Sequence, residues 1–150
     1  MKNIEVKVAI LPHFKGALPR YQTELASGFD VRACLTEAMH LAPGERAMIP
    51  TGLAFEIPPG YEIQARPRSG LAAKQGVTLL NSPGTIDADY RGEVKIIIAN
   101  LGQEPVTIAD QDRIAQLVLC PVFRAELIAT GSLSESVRGA GGFGSTGVTN

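Results

Sequence analysis

The sequence predicts an all-β fold: a jelly-roll-like β-sandwich or distorted barrel of many short strands, with one short helix. In the N-terminal segment, Ile4, Val6, Val8 and Ile10 are separated by polar or small residues. This period of two is typical of a strand with one buried face. The 10 prolines and 16 glycines supply turn signals such as PG, PPG and SPG, which recur about every dozen residues and predict short strands.

The predicted elements follow one another along the chain. Alternation recurs in segments 29–35, 53–57 and 61–65. The most apolar runs, VKIIIAN and IAQLVLCPVF, indicate central strands, because strands covered on both faces are almost continuously apolar. SGLAAKQG indicates the helix, with Ser69 as its N-cap and Gly76 as its C-terminal stop. So many short strands leave sheet edges that must be covered or paired, and an oligomer is therefore expected.

Length and charge restrict the classes of function. The chain has 150 residues, which suits one domain with a substantial core, and a net charge of −1. This balance argues against a general nucleic-acid or membrane-surface binder, because both rely on excess positive charge. It is compatible with a small anionic ligand bound by a few local arginines.

The sequence favours a cytoplasmic location. No apolar run approaches the roughly 18 residues of a membrane span. The N-terminal segment alternates and does not form an apolar signal core. Cys34 and Cys120 lack the spacing of a CxxC or zinc site, and they suit reduced thiols that pack as small apolar side chains.

The C-terminal segment RGAGGFGSTG, residues 138–147, contains a GxGxxG pattern that does not predict a dinucleotide site. Only three residues follow Gly147, so the helix that such a motif requires cannot form. A flexible tail is one interpretation. The segment also carries a cation, an aromatic ring and two hydroxyls, namely Arg138, Phe143, Ser145 and Thr146, which leaves a functional interpretation open.

Two internal segments carry groups that could meet phosphates. In SGFDVRA, Asp30 lies on the strand face opposite Phe29 and Val31. It is either a solvated carboxylate or a ligand of Mg²⁺, which takes one or two carboxylates besides water and phosphates. In RPRSGLA, Arg68 and Ser69 precede the helix and form either an anion site or a simple cap.

Two further segments are rich in polar groups. NSPGTIDADYRGEV predicts a hairpin around the turn Ser82 to Gly84, with Asp87 and Asp89 on one face. Asn81, Tyr90 and Arg91 belong to the same segment, which is more functional chemistry than a plain turn requires. In DRIAQLVL, Gln116 interrupts an apolar strand, so its amide is either buried with a partner or exposed on the outer face.

In this order, SGFDVRA, RPRSGLA, GTIDADYRGEV, RIAQLVL and RGAGGFGSTG resemble the five motifs of the homotrimeric deoxyuridine triphosphatase (dUTPase) family. The resemblance covers essentially the whole chain, and the third and fifth motifs are the most specific. It implies Mg²⁺-assisted hydrolysis of dUTP to dUMP and pyrophosphate, with dUMP available for dTMP synthesis. It also implies a trimer of jelly-roll-like subunits whose active sites each draw on all three chains.

The resemblance assigns roles to individual residues. Asp87 corresponds to the general base, Gln116 to the amide near the α-phosphate, and Asp30 to the carboxylate that holds the metal through water. The residues that correspond to substrate contacts are Arg68, Ser69, Gly70, Asn81, Gly84, Ile86, Tyr90, Arg138, Gly142, Phe143, Gly144, Ser145 and Thr146. Residues 1–137 would form the β domain and residues 138–150 a flexible lid that closes over a neighbouring subunit's site.

The chain departs from the family pattern at three positions. Ser27 and Val31 stand where alanine and leucine are common, and Gln111 stands where a glycine often precedes the acidic residue. None of these carries an assigned role. Two other hypotheses for the function remain. One is a deoxycytidine triphosphate deaminase, which shares the core and a similar RS motif, and the other is a non-catalytic binding or structural protein. The deaminase lacks the GGFGSTG lid and an equivalent of Tyr90.

Overall fold

The computed structural model describes residues 3–142, which form short strands and one short helix. The strands are β1 (Lys7–Ile10), β2 (Phe29–Arg32), β3 (Met39–Leu41), β4 (Arg46–Pro50), β5 (Leu53–Glu56), β6 (Tyr61–Arg66), β7 (Val77–Leu79), β8 (Gly84–Ile86), β9 (Lys95–Asn100), β10 (Val106–Ile108) and β11 (Arg113–Pro121). The helix α1 spans Ser69–Gln75, between β6 and β7. This arrangement confirms the predicted all-β fold with one short helix.

The strands associate in four antiparallel sheets. One sheet has the order β2-β11-β6-β8, a second the order β4-β9-β7, and the pairs β1-β5 and β10-β3 form the others. The two apolar runs predicted to be central form β11 and β9, and both are inner strands. Within residues 3–142 the sheets do not close into a barrel, so the sandwich alternative describes the fold better.

The core is a single cluster that draws side chains from all four sheets. Its fully buried members include Val31, Ile63 and Leu117 from the largest sheet and Ile49 and Ile98 from the three-stranded sheet. Burying each such side chain contributes about 1.5–3 kcal/mol to folding. The cluster therefore fixes the positions of the strands that carry the polar motifs.

The ends of α1 correct one prediction and confirm another. Arg68, not Ser69, is the N-cap, because the Arg68 carbonyl accepts the first helical hydrogen bond from the N–H of Ala72 at 3.0 Å. Ser69 is already the first helical residue, and no side chain caps this end. Gly76 ends the helix as predicted, in a left-handed conformation with φ of 68°.

The predicted hairpin around Ser82–Gly84 is wrong as a strand pairing. The flanking strands belong to different sheets: β7 pairs with β9, and β8 pairs with β6. Alternation identifies a strand but not its partner, and each short strand here pairs with a longer inner strand. β8 ends at Ile86, so Asp87 and Asp89 lie in the following turn; both are exposed, whereas Ile86 is buried.

The C-terminal segment leaves the body of the domain after β11. The N–H of Val122 donates to the carbonyl of Gly60 at 2.9 Å, and every residue from Pro121 to Ala140 is exposed. Large apolar side chains in this segment, such as Phe123 and Leu127, are more than nine-tenths exposed. Among residues 3–142, no helix is long and apolar enough to cross a membrane.

Candidate active site

A cavity of about 440 Å³ lies where β8 and the turn behind it face the β4-β9-β7 sheet. The residues of segment 81–94 with a predicted role that line it are Asn81, Gly84, Ile86, Asp87 and Tyr90. Met48, Ile97 and Glu93 contribute to the other walls. All five residues of this segment with a predicted role therefore line one cavity.

Gly84 allows two walls of this cavity to approach each other. A Cβ atom at this position would lie 3.1 Å from Nδ2 of Asn81 and 3.4 Å from Cβ of Ala65. Gly84 is paired with Ala65 on β6. A larger residue would therefore push against the Asn81 amide, which offers both a hydrogen-bond donor and an acceptor in the cavity wall.

Tyr90 is held at the rim by its hydroxyl group and by a close glycine. The hydroxyl donates a hydrogen bond to the backbone carbonyl of Glu93 at 3.0 Å. The ring packs over Gly92, where a Cβ atom would lie 2.6 Å from the ring carbon Cζ. The ring is about half exposed, so a ligand in the cavity can pack against it.

Asp87 presents a carboxylate that is available for chemistry. Within residues 3–142 its carboxylate oxygens make no hydrogen bond or ion pair, while the backbone around it is well fixed. The Asp87 carbonyl accepts from the N–H of Tyr90 at 3.2 Å, and the Arg91 guanidinium donates to the carbonyls of Ala88 and Tyr90. A carboxylate on a rigid turn can accept a proton from a water molecule held in the cavity.

A second cluster lies on the β2-β11-β6 part of the largest sheet and involves Asp30. Oδ2 of Asp30 is 3.3 Å from Nε of Arg68 and 3.3 Å from a guanidinium nitrogen of Arg113. Gln116 is directly paired with Asp30 on β2 and with Arg66 on β6, so the three side chains lie on the same face. Gln116 is half-buried there, which lies between the two alternatives that the sequence left open.

Arg113 is a member of this cluster that sequence reasoning missed. Besides pairing with Asp30, its backbone carbonyl accepts a hydrogen bond from Arg68 at 3.1 Å. The sequence feature that could have identified Arg113 is its position directly before IAQLVL, three positions ahead of Gln116. The residues that it contacts lie far away in the sequence, so this signal could be interpreted only with the strand pairing known.

The Asp30 site fits a magnesium ion that is shared with phosphates. Both arginines contact Oδ2, and within the described residues Oδ1 accepts no hydrogen bond. The same part of the chain has no group of three or more His, Cys, Asp or Glu side chains that could hold a metal alone. Mg²⁺ commonly uses one or two carboxylates plus water and substrate phosphates, which matches a single free carboxylate oxygen beside two arginines.

The predicted site residues fall into separate groups in one chain. Asp30, Arg68 and Gln116 do not line the 440 Å³ cavity. Ser69 and Gly70, next to Arg68, are exposed at the start of α1. The tail residues are the third group: the Arg138 Nε donates to the carbonyl of Gly141 at 2.7 Å, Gly142 is half-buried, and Phe143, Gly144, Ser145 and Thr146 lie outside the described residues.

Gln111 has an unusual backbone conformation next to the second cluster. Its φ of 66° makes it the single non-glycine residue in the described part of the chain with a positive φ. Its carbonyl accepts a hydrogen bond from Arg32 at 2.7 Å, and its side-chain amide reaches the carbonyl of Ala33 at 3.3 Å. A left-handed position favours glycine, which explains why a glycine is common here in the motif pattern; in this chain Gln111 adopts the same conformation with a side chain.

Comparisons with known proteins agree with this geometry. A family model described as dUTPase matches residues 15–147. The chain belongs to the dUTPase family. A deoxyuridine 5'-triphosphate nucleotidohydrolase of Bdellovibrio bacteriovorus is 67% identical over 147 residues, covering 98% of this chain and 99% of the relative. Another from an Anaeromyxobacter species is 63% identical over 130 residues, covering 87% of each.

A solved dUTPase structure has the same fold. The dUTPase of Staphylococcus bacteriophage 80alpha, solved with dUPNHPP, superposes with a TM-score of 0.86 at 28% identity. The alignment covers 97% of this chain and all of the phage chain. The strand order described above is therefore that of a dUTPase, as the motif order predicts.

Proposed function

We propose that the chain hydrolyses dUTP to dUMP and pyrophosphate, which removes dUTP and supplies dUMP for dTMP synthesis. The observation that carries the proposal is the convergence of Asn81, Gly84, Asp87 and Tyr90 on one cavity, in a chain of the dUTPase family. The similarity to relatives named deoxyuridine 5'-triphosphate nucleotidohydrolases over nearly their whole length supports it.

The cavity accounts for base and sugar selection. The Asn81 amide offers a donor and an acceptor to the edge of uracil, together with nearby backbone groups. The narrow approach around Gly84 leaves little space for the 5-methyl group of thymine. Tyr90 packs against the sugar and excludes a ribose 2′-hydroxyl, since a larger competitor is rejected by steric clash more readily than a smaller one.

Asp87 acts as the general base. It takes a proton from a water molecule, whose oxygen forms a bond to the α-phosphorus while the bond to the bridging oxygen of the β-phosphate breaks. Pyrophosphate leaves in line with the attack and dUMP stays in the cavity. A positioned carboxylate contributes about 10²–10⁴-fold to such a step. Arg68, Ser69 and Gly70 bind the phosphates, and Gln116 orients the α-phosphate region.

In this proposal Asp30 would hold Mg²⁺ through water, and the ion, when bound, would offset negative charge on the leaving pyrophosphate. Arg68 and Arg113 both pair with Oδ2, so Oδ1 would be the oxygen available to a hydrated cation. The arginines also orient the carboxylate. The same residues thereby prepare a site for phosphate and for the cation that accompanies it.

The complete site combines several copies of the chain in a homotrimer. The separation of the Asp87 cavity from the Asp30 cluster within one chain supports sites that are completed by neighbouring subunits. We further propose that residues 138–150 are a lid on the domain formed by residues 1–137. Arg138 meets the γ-phosphate, Phe143 stacks on uracil, and Gly142, Gly144, Ser145 and Thr146 wrap the phosphate chain. We expect a cytoplasmic enzyme that acts on a small molecule, without nucleic-acid or membrane partners.

Pyrophosphate release from dUTP, dTTP, dCTP and UTP tests the proposal, measured with Mg²⁺ and then with chelator. Release from dUTP alone, abolished by chelator and restored by Mg²⁺, is the expected result. Equal release from UTP would remove the sugar selection assigned to Tyr90. Loss of the amino group from dCTP would indicate a deaminase, and nucleotide binding without any turnover would indicate a binding protein.

A further inference from the structure

Glu93 lines the cavity but has no role in the mechanism above. Its side chain is only 14% exposed. Oε1 accepts a hydrogen bond from the backbone N–H of Gly52 at 2.8 Å, and the Nε2–H of His13 donates to the same oxygen at 2.8 Å. Lys95 Nζ lies 3.9 Å from Oε2. This carboxylate is therefore fixed from three directions, unlike the unpaired carboxylate of Asp87.

The same residue fixes the position of Tyr90. The Tyr90 hydroxyl donates to the backbone carbonyl of Glu93, not to its side chain. Glu93 therefore accepts the hydrogen bond from Tyr90 with its backbone carbonyl, while its carboxylate accepts hydrogen bonds from His13 and Gly52. Any shift of the Glu93 backbone would move the acceptor that holds the aromatic ring at the cavity rim.

The backbone on both sides of His13 is held by contacts with other parts of the domain. The N–H of Leu11 donates to the carbonyl of Gly52 at 2.9 Å, and the Cys34 thiol contacts the carbonyl of His13 at 2.8 Å. Gly52 has a φ of 70°, and a Cβ atom there would lie 2.9 Å from Cα of Phe14. The backbone that carries the His13 imidazole is therefore fixed by these contacts and cannot easily shift together with Glu93.

We infer that His13 and Glu93 form a positioning pair that sets the Tyr90 ring and thereby sharpens the selection of deoxyribose over ribose. His13 lies 80 residues before Glu93 in sequence and outside every motif used above. The inference rests on the proposed role of Tyr90 as the group that excludes the 2′-hydroxyl. Both residues act through Tyr90, because the Tyr90 hydroxyl is bound to the Glu93 carbonyl and His13 is bound to the Glu93 carboxylate.

The ratio of kcat/KM for dUTP to kcat/KM for UTP is the decisive measurement. Glu93→Ala removes the contacts to both His13 and Gly52, and His13→Ala removes one of them. Since a net hydrogen bond contributes a factor of roughly three to ten, the ratio should fall by about that factor in His13→Ala and by at least as much in Glu93→Ala. Glu93→Gln keeps an acceptor oxygen for Gly52 and should retain most of the selectivity.

Asp110→Ala is the matched control. Asp110 also anchors the N-terminal segment, because it accepts from the N–H of Leu35 at 2.8 Å and pairs with Lys15 at 3.1 Å. It has no contact with Tyr90 or Glu93. Its removal should lower the melting temperature without changing the dUTP to UTP ratio. An equal loss of selectivity in this control would mean that general loosening explains the effect.

The double variant with Tyr90→Phe tests whether Glu93 acts through the hydroxyl of Tyr90. Adding Glu93→Ala to Tyr90→Phe should then cause no further loss of selectivity. Binding of dUMP and UMP, measured by calorimetry, gives the same comparison without turnover. If Tyr90→Ala leaves the ratio unchanged, the proposed sugar role and this inference both fail. If Tyr90→Ala lowers the ratio but Glu93→Ala does not, only the inference is overturned.

Discussion

Asp30 and Gln116 occupy directly paired positions on the adjacent strands β2 and β11. Paired residues in an antiparallel sheet project from the same face, so a carboxylate and an amide lie side by side. Arg68 and Arg113 reach Oδ2 of that carboxylate from two further points. The Asp30 carboxylate therefore holds two guanidinium groups in place beside the Gln116 amide. This combination of charges and hydrogen-bonding groups suits a polyphosphate with its metal ion.

Asp30→Asn should lower activity without unfolding the protein. Outer-sphere carboxylates typically contribute about 10- to 100-fold to metal affinity or activity, so the Mg²⁺ concentration for half-maximal rate should rise within that range. The partly exposed ion pairs contribute only about 0–1 kcal/mol to stability. Titrating Mg²⁺ against the initial rate, with a thermal melt of the same sample, measures both effects. An unchanged Mg²⁺ requirement would exclude Asp30 from metal binding.

Asp87→Asn should abolish turnover and leave nucleotide binding nearly intact. The amide keeps the shape of the carboxylate but cannot accept a proton, so the rate should fall by about 10²–10⁴-fold. Because Asp87 is exposed and has no hydrogen-bond partner on its carboxylate within residues 3–142, stability should change little. Single-turnover kinetics and dUTP-analogue binding separate the two properties. Asp89→Asn, in the same turn, is the control and should keep nearly full activity.

Local patterns predict much of this molecule because its period-two alternation and turn residues act over few positions. The inner strands β9 and β11 follow from their apolar runs, and Asn81, Asp87 and Tyr90 share a cavity partly because they are close in sequence. Alternation does not specify which strands pair, and for this reason the predicted pairing of β7 with β8 was wrong. The Asp30–Arg113 contact joins residues 83 positions apart, beyond the reach of local reasoning.

Truncation after Val137 should reduce the rate strongly and leave the domain folded. Residues 138–140 are exposed, so this part of the removed segment contributes no buried side chain to the described domain. If the segment acts as a lid, both kcat/KM for dUTP and affinity for its analogue should decline while the melting temperature is maintained. Arg138→Ala in the full chain tests the phosphate contact separately. Full activity in the truncated chain would contradict the lid.

Gln111→Gly should be more stable than Gln111→Ala by about 1 kcal/mol, because a left-handed φ costs a side chain with Cβ about that much. Both variants lose the 3.3 Å side-chain hydrogen bond to Ala33, so their difference isolates the backbone strain at φ of 66°. Urea denaturation of the two variants and the parent chain measures it. Equal stabilities of the glycine and alanine variants would mean that the surroundings relieve this strain.

Glu93 should stabilise the fold in a pH-dependent manner. Burial alone would raise its pKa, but hydrogen bonds from His13 and from the Gly52 N–H, with the charges of His13 and Lys95, together hold the pKa below its ordinary value of 4.5. Because the pKa of Glu93 is lower in the folded protein, the unfolded chain protonates this carboxylate more readily. The contribution of Glu93 to the free energy of unfolding is therefore present above about pH 4.5 and is lost as the pH falls through the folded-state pKa.

The comparison of the parent chain with Glu93→Gln isolates this contribution. Asp110 and Glu56 also have lowered pKa values, so the acid stability of the parent alone would not identify the group responsible. The variant should be less stable at neutral pH by about 1 kcal/mol, and the difference should vanish in acid, where Glu93 is protonated. Chemical denaturation across this pH range measures the difference. A difference that stays constant with pH would show that lost packing, not the charge of Glu93, is responsible.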